Sequence, residues 1–110
     1  MKLAIVGSRD LVVKNIGDYM PDGVSEIVSG GARGIDSLAA EYARAHGIKL
    51  TEFLPDYARF GRAAPIKRNE LIAEYADEGI AFWDGISRGT QSTIKFFQKR
   101  SKPIKIIIIQ

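Results

Sequence analysis

Five short apolar runs alternate with four helix-like stretches along this 110-residue chain, and glycines mark the joints between them. The runs are Lys2–Val6, Glu26–Ser29, Ile48–Leu54, Gly79–Trp83 and Ile104–Ile109. Strands that alternate with helices form βαβ units, and such units build a parallel sheet between helical layers. Crossovers are right-handed, which leaves few topologies. The expected fold is α/β, one three-layer domain over residues 1–110. Its five-stranded parallel sheet takes the order 3-2-1-4-5, with helices on both faces. That order puts the topological switch point between the first and fourth strands, where open α/β sheets bind ligands.

The helical stretches differ in strength. Leu11–Met20 carries Val12, Ile16, Tyr19 and Met20 on one stripe, weakened by Gly17 and followed by the turn Pro21-Asp22-Gly23. Ile35, Leu38, Ala39, Tyr42 and Ala43 form a clear apolar face that Gly47 stops. Pro65 suits the first turn of a helix running to about Ala76. The last helix opens near Gly89-Thr90 and ends before Lys102-Pro103. Between the third strand and the Pro65 helix lies a long loop, Pro55–Ala64, and loops of that length are often functional. Ile48–Leu54 is the less apolar run, as suits a sheet edge. Ile104–Ile109 has no polar residue after Lys105, which suits a strand covered on both faces.

Composition narrows the chemistry. There is no cysteine and one histidine, His46, so disulfides, thiolate metal sites and histidine clusters fall away, and no metal is expected. The net charge of +3 is mild. It permits binding to nucleic acid or small anions without demanding either. The cluster Lys95, Lys99, Arg100, Lys102 and Lys105 reads first as a solvated helix end favoured by the macrodipole. Met1–Val6 is too short for a signal peptide, and Ile104–Ile109 falls far below membrane-spanning length. A cytoplasmic protein with no membrane partner is the expectation. A homo-oligomer is compatible with the sequence but not specified by it.

Three loops carry the candidate site. Each follows an apolar run, leads towards a helix and holds glycine and arginine. The first is Gly7-Ser8-Arg9-Asp10. The second, Ser29-Gly30-Gly31-Ala32-Arg33-Gly34-Ile35-Asp36, is the strongest. Gly30 and Gly31 stand where a side chain would block a ligand, and Gly34 allows close approach at the helix start. Ser29 and Arg33 can bond phosphate oxygens, and Asp36 can cap the helix or accept from a ribose hydroxyl. Without a ligand, the same loop would be a tight strand-to-helix turn. It matches neither the dinucleotide fingerprint nor the P-loop.

The third loop is Trp83-Asp84-Gly85-Ile86-Ser87-Arg88-Gly89-Thr90. Its free helix amides and the Thr90 hydroxyl suit a phosphate. Trp83 could stack on a base, although a lone tryptophan more often belongs to the core. Arg68 and Asn69 sit beside the buried stripe Ile72, Ala73 and Ala76, near their helix start. Either they satisfy neighbouring backbone groups, or they aim at the crevice. A buried arginine without a partner is costly, so an anionic partner, from the protein or a ligand, is expected.

Taken together, these segments resemble the SLOG superfamily of Rossmann-like nucleotide-binding proteins, and most nearly its small stand-alone group related to YspA and cpYpsA. The segments are Gly7-Ser8-Arg9, Ser29–Asp36, Gly61-Arg62-Ala63-Ala64 with Arg68-Asn69, and Phe82–Gly85 with Ser87–Thr90. Pro65 stands where many members carry glycine before their proline. The resemblance implies a Rossmann-like fold and a pocket for a phosphate-bearing nucleotide or an ADP-ribose-like ligand, in a binding module or sensor. A bound nucleotide is the one cofactor-like group it suggests. Two relatives imply rival functions. The lonely-guy enzymes hydrolyse nucleotides with a glutamate that this chain replaces by Thr93. Here Asp36, Asp84 or Glu70 would have to serve as acid or base. The DNA-processing protein A family shares the second loop and the Arg-Asn helix and binds single-stranded DNA. With a charge of +3, any such binding here is expected to be weak and non-specific.

Overall fold

The computed structural model of the chain describes residues 1–109, so Gln110, the end of the domain expected over 1–110, lies outside the described residues. Five strands and four helices follow one another as β1 (Lys2–Gly7), β2 (Glu26–Ser29), α1 (Ile35–Ala45), β3 (Lys49–Glu52), α2 (Tyr57–Phe60), α3 (Ala64–Tyr75), β4 (Glu78–Trp83), α4 (Arg88–Lys99) and β5 (Ile104–Ile108). The sheet order is β3-β2-β1-β4-β5, and every neighbouring pair is parallel. This is the order expected from the sequence. The chain steps outward from β1 through β2 to β3, then crosses back to β4, so the switch point falls between β1 and β4.

Alternation along the central strands assigns the two layers. Leu3, Ile5, Ile27, Ile80 and Phe82 face α1 and pack on Ile35, Ala39 and Ala43. Ala4, Val6, Val28 and Ala81 point the other way, onto Ile72, Ala73 and Ala76 of α3 and Ile94 and Phe97 of α4. Phe82 and Phe97, one for each layer, are fully buried. Each such side chain contributes roughly 1.5–3 kcal/mol relative to exposure.

Four expectations need correction. Leu11–Met20 does not form an α-helix; only a 3-10 turn, Ile16–Tyr19, is present. Gly17 and the β-branched Val12 and Val13 are poor helix formers. Burial also decides against the stripe, because Val13 and Ile16 go inside while Val12 stays exposed. The second correction is to the length of β3, which keeps only Lys49–Glu52 of the expected run. Third, the long loop contains the short helix α2, whose start Asp56 caps by accepting from the Arg59 amide.

The last correction concerns β5. It is an edge strand, with Ile106 39% and Ile108 50% exposed, and so is not covered on both faces. An apolar run also serves an edge where one helix covers only part of the strand.

At the opposite end of the sheet from the loops, Glu26 is buried. It accepts from Thr51 Oγ1 at 2.6 Å and from the Tyr75 hydroxyl at 2.5 Å. Lys49 Nζ lies 3.7 Å away. The hydroxyl donors hold this carboxylate below its usual range and tie β2, β3 and α3 together.

Candidate functional site

The C-terminal ends of β1, β2 and β4 open onto one pocket of about 360 Å³. That volume lies within the range of small-molecule sites. The loops meet there because glycine lets them. Gly34 has φ +77°, and a Cβ on it would run into the Arg9 carbonyl oxygen. The loop after β1 can therefore lie directly on the start of α1. A Cβ on Gly30 would sit 2.6 Å from Arg68 Nη1, so bare backbone there leaves room for the guanidinium.

Arg68 comes from the first turns of α3 and reaches across to that loop. Its Nη1 donates to the Gly30 carbonyl at 2.8 Å, and its Nε donates to Asn69 Oδ1 at 2.9 Å. Asn69 Nδ2 in turn donates to the Gly89 carbonyl at 3.3 Å. A chain of side-chain bonds thus runs from the loop after β2, through α3, to the first turn of α4. Burial lowers the Arg68 pKa, the neighbouring Asp36 opposes that shift, and the like charge of Arg9 adds to it. Arg9 and Arg68 both line the pocket.

Asp36 lies in the wall of the pocket and is buried. Its Oδ2 accepts from the Ala32 amide at 3.0 Å. Burial raises its pKa, and the Ala32 amide and Arg68 only partly offset that. Asp84 behaves in the opposite way. Its Oδ2 accepts from the Ser87 hydroxyl at 2.6 Å, and its Oδ1 accepts from the Ser87 and Ile86 amides at 2.7 and 2.9 Å. These donors, the Ser87 hydroxyl first, lower its pKa to about 2. Asp84 is a loop clamp and stays ionised.

The Asp84 clamp changes the start of α4. The Ser87 hydroxyl is spent on Asp84 and does not cap the helix. The first intrahelical bond is Gln91 N–H to the Ser87 carbonyl. The Gly89 and Thr90 amides precede it, at the helix end where amides have no intrahelical acceptor, and both residues line the pocket. Ser8 lines the same pocket. It is 5% exposed, and its hydroxyl is buried without a hydrogen-bond partner among the described residues. It lies near the Asp84 carboxylate, but the geometry falls short of a hydrogen bond.

Of the residues singled out in the sequence, Gly7, Ser8, Arg9, Gly30, Ala32, Asp36, Arg68, Asn69, Asp84, Ser87, Gly89 and Thr90 line the pocket. The other six lie outside its wall. Ser29 is buried in β2, where its hydroxyl accepts from the Gly31 amide at 3.4 Å. Gly31 and Gly85 are exposed loop residues, and Gly34 supports the contact with Arg9. Arg33 is on the surface, 4.0 Å from the exposed Asp10. Trp83 is half-buried and donates its indole N–H to the Ser87 carbonyl at 3.0 Å, which makes it a brace for the loop. Glu70, a candidate acid, pairs with Arg100 at 3.5 Å, away from the pocket.

Leu11, Pro65, Ile72 and Thr93 also line the pocket. The sequence reads Leu11, Pro65 and Ile72 as helix or core residues, whereas Thr93 stands where the lonely-guy relatives carry their glutamate, three residues past Thr90 and so on the same helix face. Among the described residues no cluster of acidic or histidine side chains could hold a metal ion. No helix among them is long and apolar enough to cross a membrane.

Residues 1–60 match the family model described as YAcAr, the YspA, cpYpsA-related SLOG family. No curated protein and no solved structure matches the chain. The matched segment runs from β1 through α2, more than half of the chain, and includes both the Gly7 loop and the Ser29–Asp36 loop. The chain belongs to the YspA, cpYpsA-related SLOG family.

Proposed function

We propose that the chain is a binding module or sensor for a phosphate-bearing nucleotide or a nucleotide-derived, ADP-ribose-like ligand, and that the pocket at the β1/β4 switch point is its site. One observation supports this most: the buried Ser8 hydroxyl, which has no hydrogen-bond partner among the described residues, lines the same pocket as Gly89 and Thr90 at the start of α4. A buried polar group without a partner costs about 1–3 kcal/mol. A phosphate oxygen would meet it, the two amides and the positive end of α4 together. Arg9 and Arg68 add two charges to the lining of the same pocket.

The Gly30–Gly34 loop fits the phosphate less well. Its Ala32 amide is taken by Asp36 and its Gly31 amide by Ser29. On this reading the loop receives an uncharged part of the ligand, with Asp36 accepting from a hydroxyl group. Hydrolysis of the ligand is the second reading, and Asp36 would be its carboxyl group. It lines the pocket with a raised pKa, whereas Asp84 is fully engaged and Glu70 is elsewhere.

Thermal melting with AMP, ADP, ADP-ribose and adenosine separates the readings. A ligand at a hundred times its Kd stabilises the fold by about 2.7 kcal/mol. The phosphate-bearing compounds should raise the midpoint with concentration, and adenosine should not. Failure of every compound at millimolar concentration refutes the proposal. Ligand turnover that is lost in Asp36→Asn would establish the hydrolase instead.

A further inference from the structure

The basic residues near the C-terminus divide into two groups. Lys102 Nζ donates to the carbonyls of Ala73, Glu74 and Ala76 at 2.9, 2.7 and 2.7 Å, and so caps the end of α3. Arg100 pairs with Glu70 and lies 5.7 Å from the centre of the Phe96 ring. Both are structural. Arg88, Lys95 and Lys99 are different. All three are exposed, and none has an acidic partner within ion-pair distance among the described residues.

These three cations form one stripe on α4. Thr90, Thr93, Ile94 and Phe97 face inward, and Arg88, Lys95 and Lys99 recur at helical spacing on the opposite side. The stripe spans roughly 16 Å at the helical rise. A shallow groove follows it, also lined by Gln91, Ser92 and the half-buried Phe96. None of these groove residues lines the nucleotide pocket.

Helix stability alone does not explain the stripe. Arg88 stands at the N-terminal end of α4, where positive charge opposes the macrodipole, and the first turn has no acidic residue. Lys99, in the last turn, is favoured by the macrodipole, but Lys95 and Lys99 are a like-charged pair four residues apart, which is mildly unfavourable. The helix carries no acidic side chain at all. A sequence that breaks local rules without an internal compensation points to a binding role.

We propose that this face of α4 docks an acidic segment of a partner protein. Its carboxylates would pair with Arg88, Lys95 and Lys99, and one apolar side chain would lie on Phe96. Charge complementarity sets the sign of the partner, and the phenyl floor selects a protein segment. Nucleic acid fits less well, because three cations neutralise few phosphates and give only weak binding at physiological salt. The proposal does not depend on the nucleotide reading, since the two sites share no residue.

The probe is a short fluorescent peptide of glutamate and aspartate around a single phenylalanine, followed by anisotropy. Its glutamine and asparagine counterpart and an oligothymidylate are the comparisons. The acidic peptide should bind, more weakly as salt rises, and the amide peptide should not. Lys95→Glu with Lys99→Glu should weaken binding at least about tenfold, or 1.4 kcal/mol. The milder pair Lys95→Gln and Lys99→Gln replaces it if the reversal variant does not fold. Absence of acidic-peptide binding, insensitivity to both pairs, or tighter binding of oligothymidylate would overturn the proposal.

Discussion

Arg68 Nη1 donates to the Gly30 carbonyl at 2.8 Å, across 38 residues of sequence. The same guanidinium holds Asn69, which holds Gly89. Arg68 is therefore both a wall of the pocket and a tie between the loop after β2 and the start of α4. Arg68→Ala should lower apo stability by about 1.5–3 kcal/mol, the worth of a hydrogen bond to a charged group. The melting midpoint should fall by several degrees. Arg68→Lys should recover only part of this, because one ammonium cannot copy the fork. Arg33→Ala is the control. Its side chain is 74% exposed, so its melting should match wild type.

The Asp84 clamp gives a pH signature. Its pKa drops from 3.8 to about 2 because the Ser87 hydroxyl and the Ser87 and Ile86 amides favour the charged form. A lowered carboxyl pKa adds stability that is complete above the unfolded value and is lost as pH falls through the folded one. The advantage of wild type over Asp84→Asn should be constant above about pH 5 and shrink between about pH 4 and 2. Melting of both proteins across that range checks it. A difference that does not change with pH would mean that the clamp does not need the charge.

Asp36 should titrate with the opposite sign. Burial raises its pKa, so the folded state holds a proton at pH values where the unfolded chain has released it. Stability conferred by protonation is then lost as pH rises. Asp36→Asn keeps an acceptor for the Ala32 amide and removes the buried charge. The variant should melt above wild type at neutral pH, with the gain disappearing in acid. Any hydroxyl contact of Asp36 with a ligand should weaken in the same variant.

Much of the architecture could be read from the chain, because short apolar runs alternate with helical stretches and the central runs lead into glycine loops. The glycine loops also located the rim of the pocket. Other features depend on distant partners. Val12 and Val13 are equivalent by composition, and only packing into the core on the α1 side decides which one is buried. The isoleucine-rich β5 reads as a strand covered on both faces, yet Ile106 and Ile108 are exposed. Trp83 and Arg33 looked like ligand contacts by type and position. The indole instead found the Ser87 carbonyl, and the arginine turned towards Asp10. Ser8 became notable only through its burial without a partner.

Ser101 is the only non-glycine residue with positive φ among the described residues, at +55°. It follows α4, where the Lys102 amide returns to the Phe97 carbonyl. The left-handed conformation costs a side chain roughly 1–2 kcal/mol, and glycine offsets part of that through greater freedom in the unfolded chain. Ser101→Gly should therefore stabilise the fold by about 0.5–1 kcal/mol. Denaturant midpoints of the two proteins measure it. An unchanged or lower midpoint would show that the Ser101 side chain compensates its own strain.

The central claim is that a nucleotide phosphate sits between Ser8 and the start of α4. Backbone amide resonances followed by NMR during addition of ADP test it directly. The account expects the Gly89 and Thr90 amides to shift saturably, and the Ser8→Ala variant to need more ligand for the same shift. If no resonance moves at millimolar ADP, or if the shifts fall on Gly31 and Ala32 while Gly89 and Thr90 stay still, the account is contradicted.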